Sequence, residues 1–350
     1  MSKILRKNIT ICCLKLKLYF FHCKIINIIK GGGIMFYLKK TKSTGRYELN
    51  VLGLKFKFRL GKKNDTLYKE KLENLLYELA DPRTLANVKL PKVMNAWDAL
   101  YALTSSDKSM ARCGDGEFKL IMGENISFQK YDPKLSERLK NIIKNQNDNI
   151  LIGITDAFGY CPEAYLRKVM VICRKTLYKY LDFSKTYIDT NVTRQMNFAS
   201  EEQGKDYYNK MKSLWTGKDI VIVEGAGSRL GVGNDLFDNA GSIKRIIAPI
   251  KDAFSEYDKI LSVSLKQPKN SLFILALGPT ATVLAEDLTN AGYRALDVGH
   301  LDTAYEAFLR KAKRFVPVEG KIVFNEERHK SLLKPCTDKN YNKQIVFMIE

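Results

Sequence analysis

Five short runs of apolar and β-branched residues recur through the second half of the chain: Asn149–Ile154, Asp219–Val223, Ile243–Ile247, Ser271–Leu277 and Ala295–Val298. A run with no polar alternation cannot leave one face in water, so each reads as a strand covered on both sides. Such strands separated by helical stretches predict an α/β domain around a largely parallel sheet. Thr280–Asn290 supplies one helix, with Ala291-Gly292 as its C-terminal stop. In open sheets of this kind ligands gather beyond the carboxyl ends of the strands, so the loops just after these runs are where chemistry is expected.

The rest of the chain has a different character. Of the 16 Lys and Arg in residues 1–63 only Glu48 stands in opposition, whereas the remaining 287 residues carry 42 bases against 37 acids. Of the net charge of +20, +15 therefore belongs to an N-terminal extension and only +5 to the rest of the chain. Apolar residues interleaved with the lysines, such as Ile9, Leu14, Leu18, Phe20 and Ile25, favour an anionic membrane surface over nucleic acid as its partner. Lys15, Lys17, His22 and Lys24 interrupt the stretch Ile9–Ile29, which reads against a spanning helix and against a signal peptide. Met35 offers a second start. The strict alternation from Leu54 to Leu60, with Gly53 before it, predicts a β-hairpin over 46–60, and Leu67, Leu72, Leu75, Leu76 and Leu79 predict a helical connector stopped by Asp81-Pro82. The expected organisation is an extension over 1–63, a connector over 64–92, the α/β domain over 93–315 and a tail over 316–350. Seven cysteines with no CxxC pair frame neither a disulfide scaffold nor a zinc site, and indicate a reducing, cytoplasmic setting.

Four strand-end loops carry residues suited to chemistry. In Arg112-Cys-Gly-Asp-Gly-Glu117 one glycine separates two carboxylates, which can turn together toward a hard divalent cation or else form a polar turn capping a helix from Phe118. Val221–Asp235 runs from a strand into a loop with four glycines, whose amides together with Arg229 suit a diphosphate; a plain bend and an apparent helix over 235–240 are the alternative content. Leucine at position 230 and the lack of an acid about 20 residues on break the dinucleotide fingerprint, which disfavours an NAD-binding oxidoreductase. Thr280 can cap its helix or help its free amides hold an anion. His300, between Asp297 and Asp302, is placed for a metal ligand, a general base or a structural hydrogen bond.

Taken together, Arg112–Phe118, Ser228–Phe237, Ile243–Pro249, Leu277–Ala285 and Gly299–Asp302 resemble the GT-D-fold glycosyltransferases over residues 93–315. The resemblance implies a Rossmann-like nucleotide-sugar domain, a UDP-sugar donor, and Mn2+ or Mg2+ held through an Asp-x-Glu motif, here Asp115 and Glu117, with His300 as a further contributor. It implies that Arg112, Gly114, Ser228, Arg229, Gly233, Asn234 and Thr280 surround the nucleotide or sugar. Asp235, His300, Asp302 and Glu306 are all candidates for the group that takes the acceptor proton. The expected acceptor is a glycan, glycoprotein or lipid-linked sugar of bacterial surface assembly, reached from the cytoplasmic face of the membrane. A non-catalytic nucleotide-sugar binder on the same fold is the competing reading, disfavoured by the Asp-x-Glu pair.

Overall fold

The computed structural model describes residues 36–40, 47–51, 54–58, 90–144, 147–155, 177–322 and 336–349. The chain divides into two compact units, one of residues 1–90 with 158–171 and one of 91–157 with 172–350. The apolar arm before residue 36 and the expected connector over 64–89 lie outside the described residues.

In the first unit β1 (Phe36–Lys40), β2 (Tyr47–Val51) and β3 (Leu54–Phe58) form an antiparallel sheet in that order. Val51 stands opposite Leu54, so β2 and β3 pair as the hairpin that the alternation predicts. The register sets Leu49 opposite Phe56 and Tyr47 opposite Phe58. β1 is an addition to the expected hairpin.

The second unit is built on nine strands, β4 (Lys92–Met94), β5 (Ser109–Cys113), β6 (Ile150–Ile154), β7 (Thr186–Asp189), β8 (Asp219–Gly225), β9 (Ser242–Ala248), β10 (Leu272–Ala276), β11 (Arg294–Asp297) and β12 (Ile345–Met348). Their order is β12-β9-β8-β10-β11-β5-β6-β7-β4. Every neighbouring pair is parallel. The helices are α1 (Ala96–Thr104), α2 (Asp115–Ile121), α3 (Pro133–Ile143), α4 (Glu201–Lys212), α5 (Tyr257–Ser264), α6 (Pro279–Asn290), α7 (Leu301–Leu309) and α8 (Lys339–Gln344). Asn95, Asp132 and Ser200 cap α1, α3 and α4 through side-chain oxygens, and Pro279 occupies the first turn of α6 where its missing N–H costs nothing.

Both faces of the sheet are covered, which is why its strands lack polar alternation. On one face Leu100 and Leu103 of α1, Tyr207 and Met211 of α4, Trp215, and Tyr305 of α7 meet Ile220, Ile222, Ile274 and Leu296. On the other, α6 packs against β5 and β11 and against α3 and α5. The region expected as a tail over 316–350 supplies α8 and the edge strand β12. The helix expected over 235–240 is instead a series of turns. Its carbonyls are taken by neighbours: Leu236 O accepts from Trp215 Nε1 at 2.9 Å and Asn239 O from the Gly217 amide at 2.8 Å. The bonds inside the segment are i to i+3 only, from the Asp238 amide to Asp235 O at 3.4 Å and from the Ala240 amide to Phe237 O at 3.0 Å, as in successive turns.

α4 lies close on its neighbours at Gly204, where a Cβ would stand 2.2 Å from the Phe308 ring and 2.9 Å from Phe198. Gly204→Ala is therefore expected to destabilise the unit by about 1–3 kcal/mol despite alanine's better helix propensity, measured as a lowered urea midpoint.

Candidate active site

The loops leaving β5, β8, β10 and β11 lie side by side at the carboxyl edge of the sheet. β5 and β10 lead into α2 and α6 on one face, while β8 and β11 lead into the glycine-rich loop and α7 on the other. This divergence opens a crevice of the kind in which doubly wound sheets bind ligands.

At the β5 exit α2 begins at Asp115, three residues earlier than the Phe118 start read from sequence. Glu117 Oε2 accepts the Gly114 amide at 2.7 Å, so this carboxylate caps its own helix. Asp115 and Glu117 are both half-buried, so their carboxylates remain open to solvent or a ligand. Burial, followed by the nearby negative charge of Asp297, pushes Glu117 up to about 7. The resemblance implies a divalent cation here, and the donor set fits one: two hard oxygen donors one residue apart, under-compensated in charge. Among the described residues no three His, Cys, Asp or Glu side chains gather to hold a metal, so His300 does not complete a preformed trio with Asp115 and Glu117. Such a site would leave its other coordination positions to water or substrate oxygens, as Mg2+ and Mn2+ sites commonly do.

Across the crevice the glycine-rich loop is held from beneath by buried charges. Glu224 on β8 accepts the Leu230 amide at 2.8 Å and pairs with Arg245 at 2.6 Å, and Arg245 donates to the Leu230 carbonyl at 2.9 Å. Asp302 accepts from the Gly231 amide at 3.0 Å and from Asn234 Nδ2 at 2.8 Å, and Glu306 accepts from the same Nδ2 at 2.7 Å. Lys321 closes the group on Asp302 at 2.6 Å. Asp302 and Glu306 are thus buried scaffolding for the loop, and Asn234 is their partner. Arg229, expected to face a diphosphate, is buried and donates to Gly320 O at 2.7 Å, tying the segment around residue 320 to the loop. Gly231 has φ 71°, and a Cβ there would lie 2.5 Å from the Phe237 ring, so only glycine fits. Ser228 and Gly233 remain at the surface of this loop. A dinucleotide loop opens a helix; this one runs into turns, which further separates it from NAD-binding folds.

The remaining expected residues divide. Thr280, in the first turn of α6, is fully buried and its Oγ1 has no hydrogen-bond partner. His300 stands before α7 with its ring 6.0 Å from that of Phe315, and burial, reinforced by Arg194 and Arg112, depresses it to about 3, so it is neutral at working pH. Asp235 is 58% exposed and accepts from Lys212 Nζ and Tyr305 Oη, both at 2.6 Å. Against the effect of burial these bonds hold its carboxyl below the usual range, which weakens it as a base. Arg112 turns inward and pairs with Asp297 at 2.9 Å. The sequence reading passed over Glu224, Arg245 and Lys321. Their one legible signal was charge inside or beside an otherwise apolar strand.

The glycosyltransferase GT-D fold family matches residues 110–326. The chain is 37% identical over 269 residues to the "Probable glycosyl transferase Gly" of Streptococcus gordonii, covering 73% of this chain and 38% of that protein. It is 35% identical over 267 residues to "Glycosyltransferase GlyD" of Streptococcus pneumoniae serotype 4, covering 72% and 32% respectively. The match thus spans about a third of the length of these relatives. Among solved structures, a domain of unknown function 1792 described as having a distinct glycosyltransferase fold superposes with a TM-score of 0.70 at 33% identity, covering 80% of this chain and 100% of that one. A new glycosyltransferase from Streptococcus sanguinis gives 0.68 at 35% identity, covering 75% and 100%.

The raised Glu117 has a measurable consequence in metal-free protein. A carboxyl whose folded value lies above its unfolded one near 4.5 weakens the fold as pH rises through about 7 and is neutral in effect below 4.5. Glu117→Gln is expected to be more stable than the parent at pH 8, by up to about 3 kcal/mol, with the gap closing by pH 4 in paired urea melts.

Proposed function

The chain belongs to the glycosyltransferase GT-D fold family, and from that premise we propose that it moves a hexose from a UDP-sugar to a glycan, glycoprotein or lipid-linked acceptor with the help of Mn2+ or Mg2+. The observation that carries this reading is the half-buried carboxylate pair Asp115 and Glu117 at the β5 exit, on the same edge of the sheet as the buried Thr280 hydroxyl, which has no hydrogen-bond partner among the described residues. Buried polar groups in folded proteins find partners, so their convergence on strand-end loops favours a bound ligand rich in oxygen and charge.

In this reading Asp115 and Glu117 hold the cation, which when bound offsets the negative charge that grows on the departing diphosphate. The N-terminal end of α6 with Thr280 Oγ1, and the half-buried Ser228 and exposed Gly233 of the glycine-rich loop, orient the diphosphate and sugar. Arg245, Glu224, Asp302 and Lys321 keep the glycine-rich loop in shape so that it need not reorganise. His300 is favoured as proton acceptor for the acceptor hydroxyl: Asp302 and Glu306 are engaged with Asn234, and Asp235 with Lys212 and Tyr305. Its imidazole stays unprotonated, and an anionic diphosphate nearby would raise its basicity toward a useful range.

Asp115→Ala or Glu117→Ala is expected to lower manganese-dependent release of UDP from UDP-sugars by at least about 10²-fold while leaving circular dichroism unchanged. Release at the parental rate with the metal still required would remove the pair from the site.

A second part of the reading concerns location. The described residues contain no helix long and apolar enough to cross a membrane. The 16 bases of residues 1–63 and the apolar residues among them support peripheral attachment to an anionic cytoplasmic surface, at about 1 kcal/mol per base near the lipid. Flotation with anionic and neutral vesicles is expected to recover the full chain with anionic lipid at low salt. A chain begun at Met35 should bind more weakly and one begun at Asp65 not at all; equal binding by all three would refute the assignment.

A further inference from the structure

Arg112 crosses the edge of the sheet behind the carboxylate loop. Its stem passes Gly153 of β6, where a Cβ would lie 3.1 Å from Arg112 Cγ. Its head ends beneath Gly299, where a Cβ would lie 1.9 Å from one terminal nitrogen and 2.9 Å from Cζ. Gly299 also has φ 48°, so both its backbone and its missing side chain are required. The two glycines leave a channel that the arginine fills. From within it Nε donates to the Asp297 carbonyl at 2.8 Å and Nη2 to Asp297 Oδ1 at 2.9 Å, while Nη1 reaches the Thr190 carbonyl after β7 at 3.5 Å. On the opposite side the Arg112 carbonyl accepts from Thr282 of α6 at 2.8 Å. The two charged side chains are only 12% and 4% exposed. A planar fork gripping a carboxylate and its own residue's carbonyl fixes orientation in a way that an ammonium cannot.

We propose that Arg112 is a positioning residue: by clamping the end of β11 to β5 through Asp297 it sets the spacing between the Asp115–Glu117 turn and the Gly299-His300 turn, and its guanidinium does not touch the donor. The assignment rests on the reading of Asp115 and Glu117 as metal-holding carboxylates. It differs from the role expected from sequence, in which Arg112 lies against the nucleotide. It also explains why glycine stands at 153 and 299.

The test uses the full chain and four readouts: Mn2+ affinity without nucleotide by electron paramagnetic resonance, UDP affinity without metal by calorimetry, kcat and KM, and the melting temperature. Arg112→Lys keeps the charge and loses the fork; Mn2+ affinity and kcat should each fall at least 10-fold, with metal-free UDP affinity within twofold of the parent. Arg112→Met alone strands Asp297 as a buried charge and can fail to fold, so it is paired with Asp297→Asn, which removes both charges together. That double variant should fold and keep the manganese defect. Gly299→Ala should reproduce the defect in the parent and cost less in the double variant, where the clash with the guanidinium is gone and the backbone strain at φ 48° alone remains. Parental Mn2+ affinity and kcat in Arg112→Lys would overturn the proposal, as would a loss confined to metal-free UDP binding, the mark of direct donor contact. Asp115→Ala serves as the control: unchanged Mn2+ binding there would sink the underlying metal reading itself, whereas a loss there with none in Arg112→Lys sinks only the clamp.

Discussion

Four carboxylates, Glu224, Asp297, Asp302 and Glu306, are buried at or just beyond the ends of parallel strands, where no water reaches them and the sheet offers no spare donors. Glu224, Asp297 and Asp302 are each met by a cation distant in sequence, Arg245, Arg112 and Lys321, while Glu306 pairs with the half-exposed Arg310 at the end of its own helix. Removing one partner of such a pair costs about 3–5 kcal/mol because the other is left buried and uncompensated. The loops of the crevice contain little regular structure, so these pairs, with the backbone amides they also bind, are what give the loops a single shape. Burial still tells on the acids: Glu224 and Asp297 are both raised above the usual carboxyl range despite their arginines.

Against this background three polar side chains at the strand ends stand out. Asp115 and Glu117 lie half-buried at the β5 exit, and the Thr280 hydroxyl in the first turn of α6 is buried with no hydrogen-bond partner among the described residues. The electrostatics of the two sides differ. Burial is the largest cause on both sides: with Asp297 nearby it pushes Glu117 up to about 7, and with Arg194 and Arg112 nearby it pushes His300 down to about 3. Such a pairing suits a ligand that brings both a cation and an anionic group, the combination that a metal-bound sugar diphosphate would present.

The family segment, residues 110–326, holds the central strands and all four crevice loops. Both edge strands come from outside it: β4 at Lys92–Met94 and β12 at Ile345–Met348. β12 reaches its place beside β9 with the help of α8, whose Gln344 accepts from Arg245 Nε at 2.7 Å and whose Tyr341 ring lies 4.8 Å from the same guanidinium. The arginine that holds the glycine-rich loop is therefore also packed by the C-terminal region, which links the edge of the sheet to the crevice.

What the sequence by itself determined is the part governed by local pattern. Apolar runs without alternation could only be strands covered on both faces, so β6, β8, β9, β10 and β11, the helix over 279–290 and the hairpin around Gly53 were legible to within a residue or two. That chemistry is to be sought in the loops just after these strands followed from the same pattern, whereas the order in which those loops lie along the sheet is set by the topology. Only the tertiary structure decided the rest, because it depends on partners distant in sequence. β5 (Ser-Met-Ala-Arg-Cys) has no β-branched residue, and β4 and β7 are only three and four residues long, so they become strands through the neighbours they pair with. Residues 235–240 have a helical look, but Trp215 and Gly217 take their carbonyls. Arg112 and Arg229 read as donors for a phosphate, and in the fold both are spent on carbonyls of their own chain, at Asp297 and Gly320. A charged side chain announces its capacity for hydrogen bonding in the sequence; which bond it makes is set by what the fold brings within 3 Å.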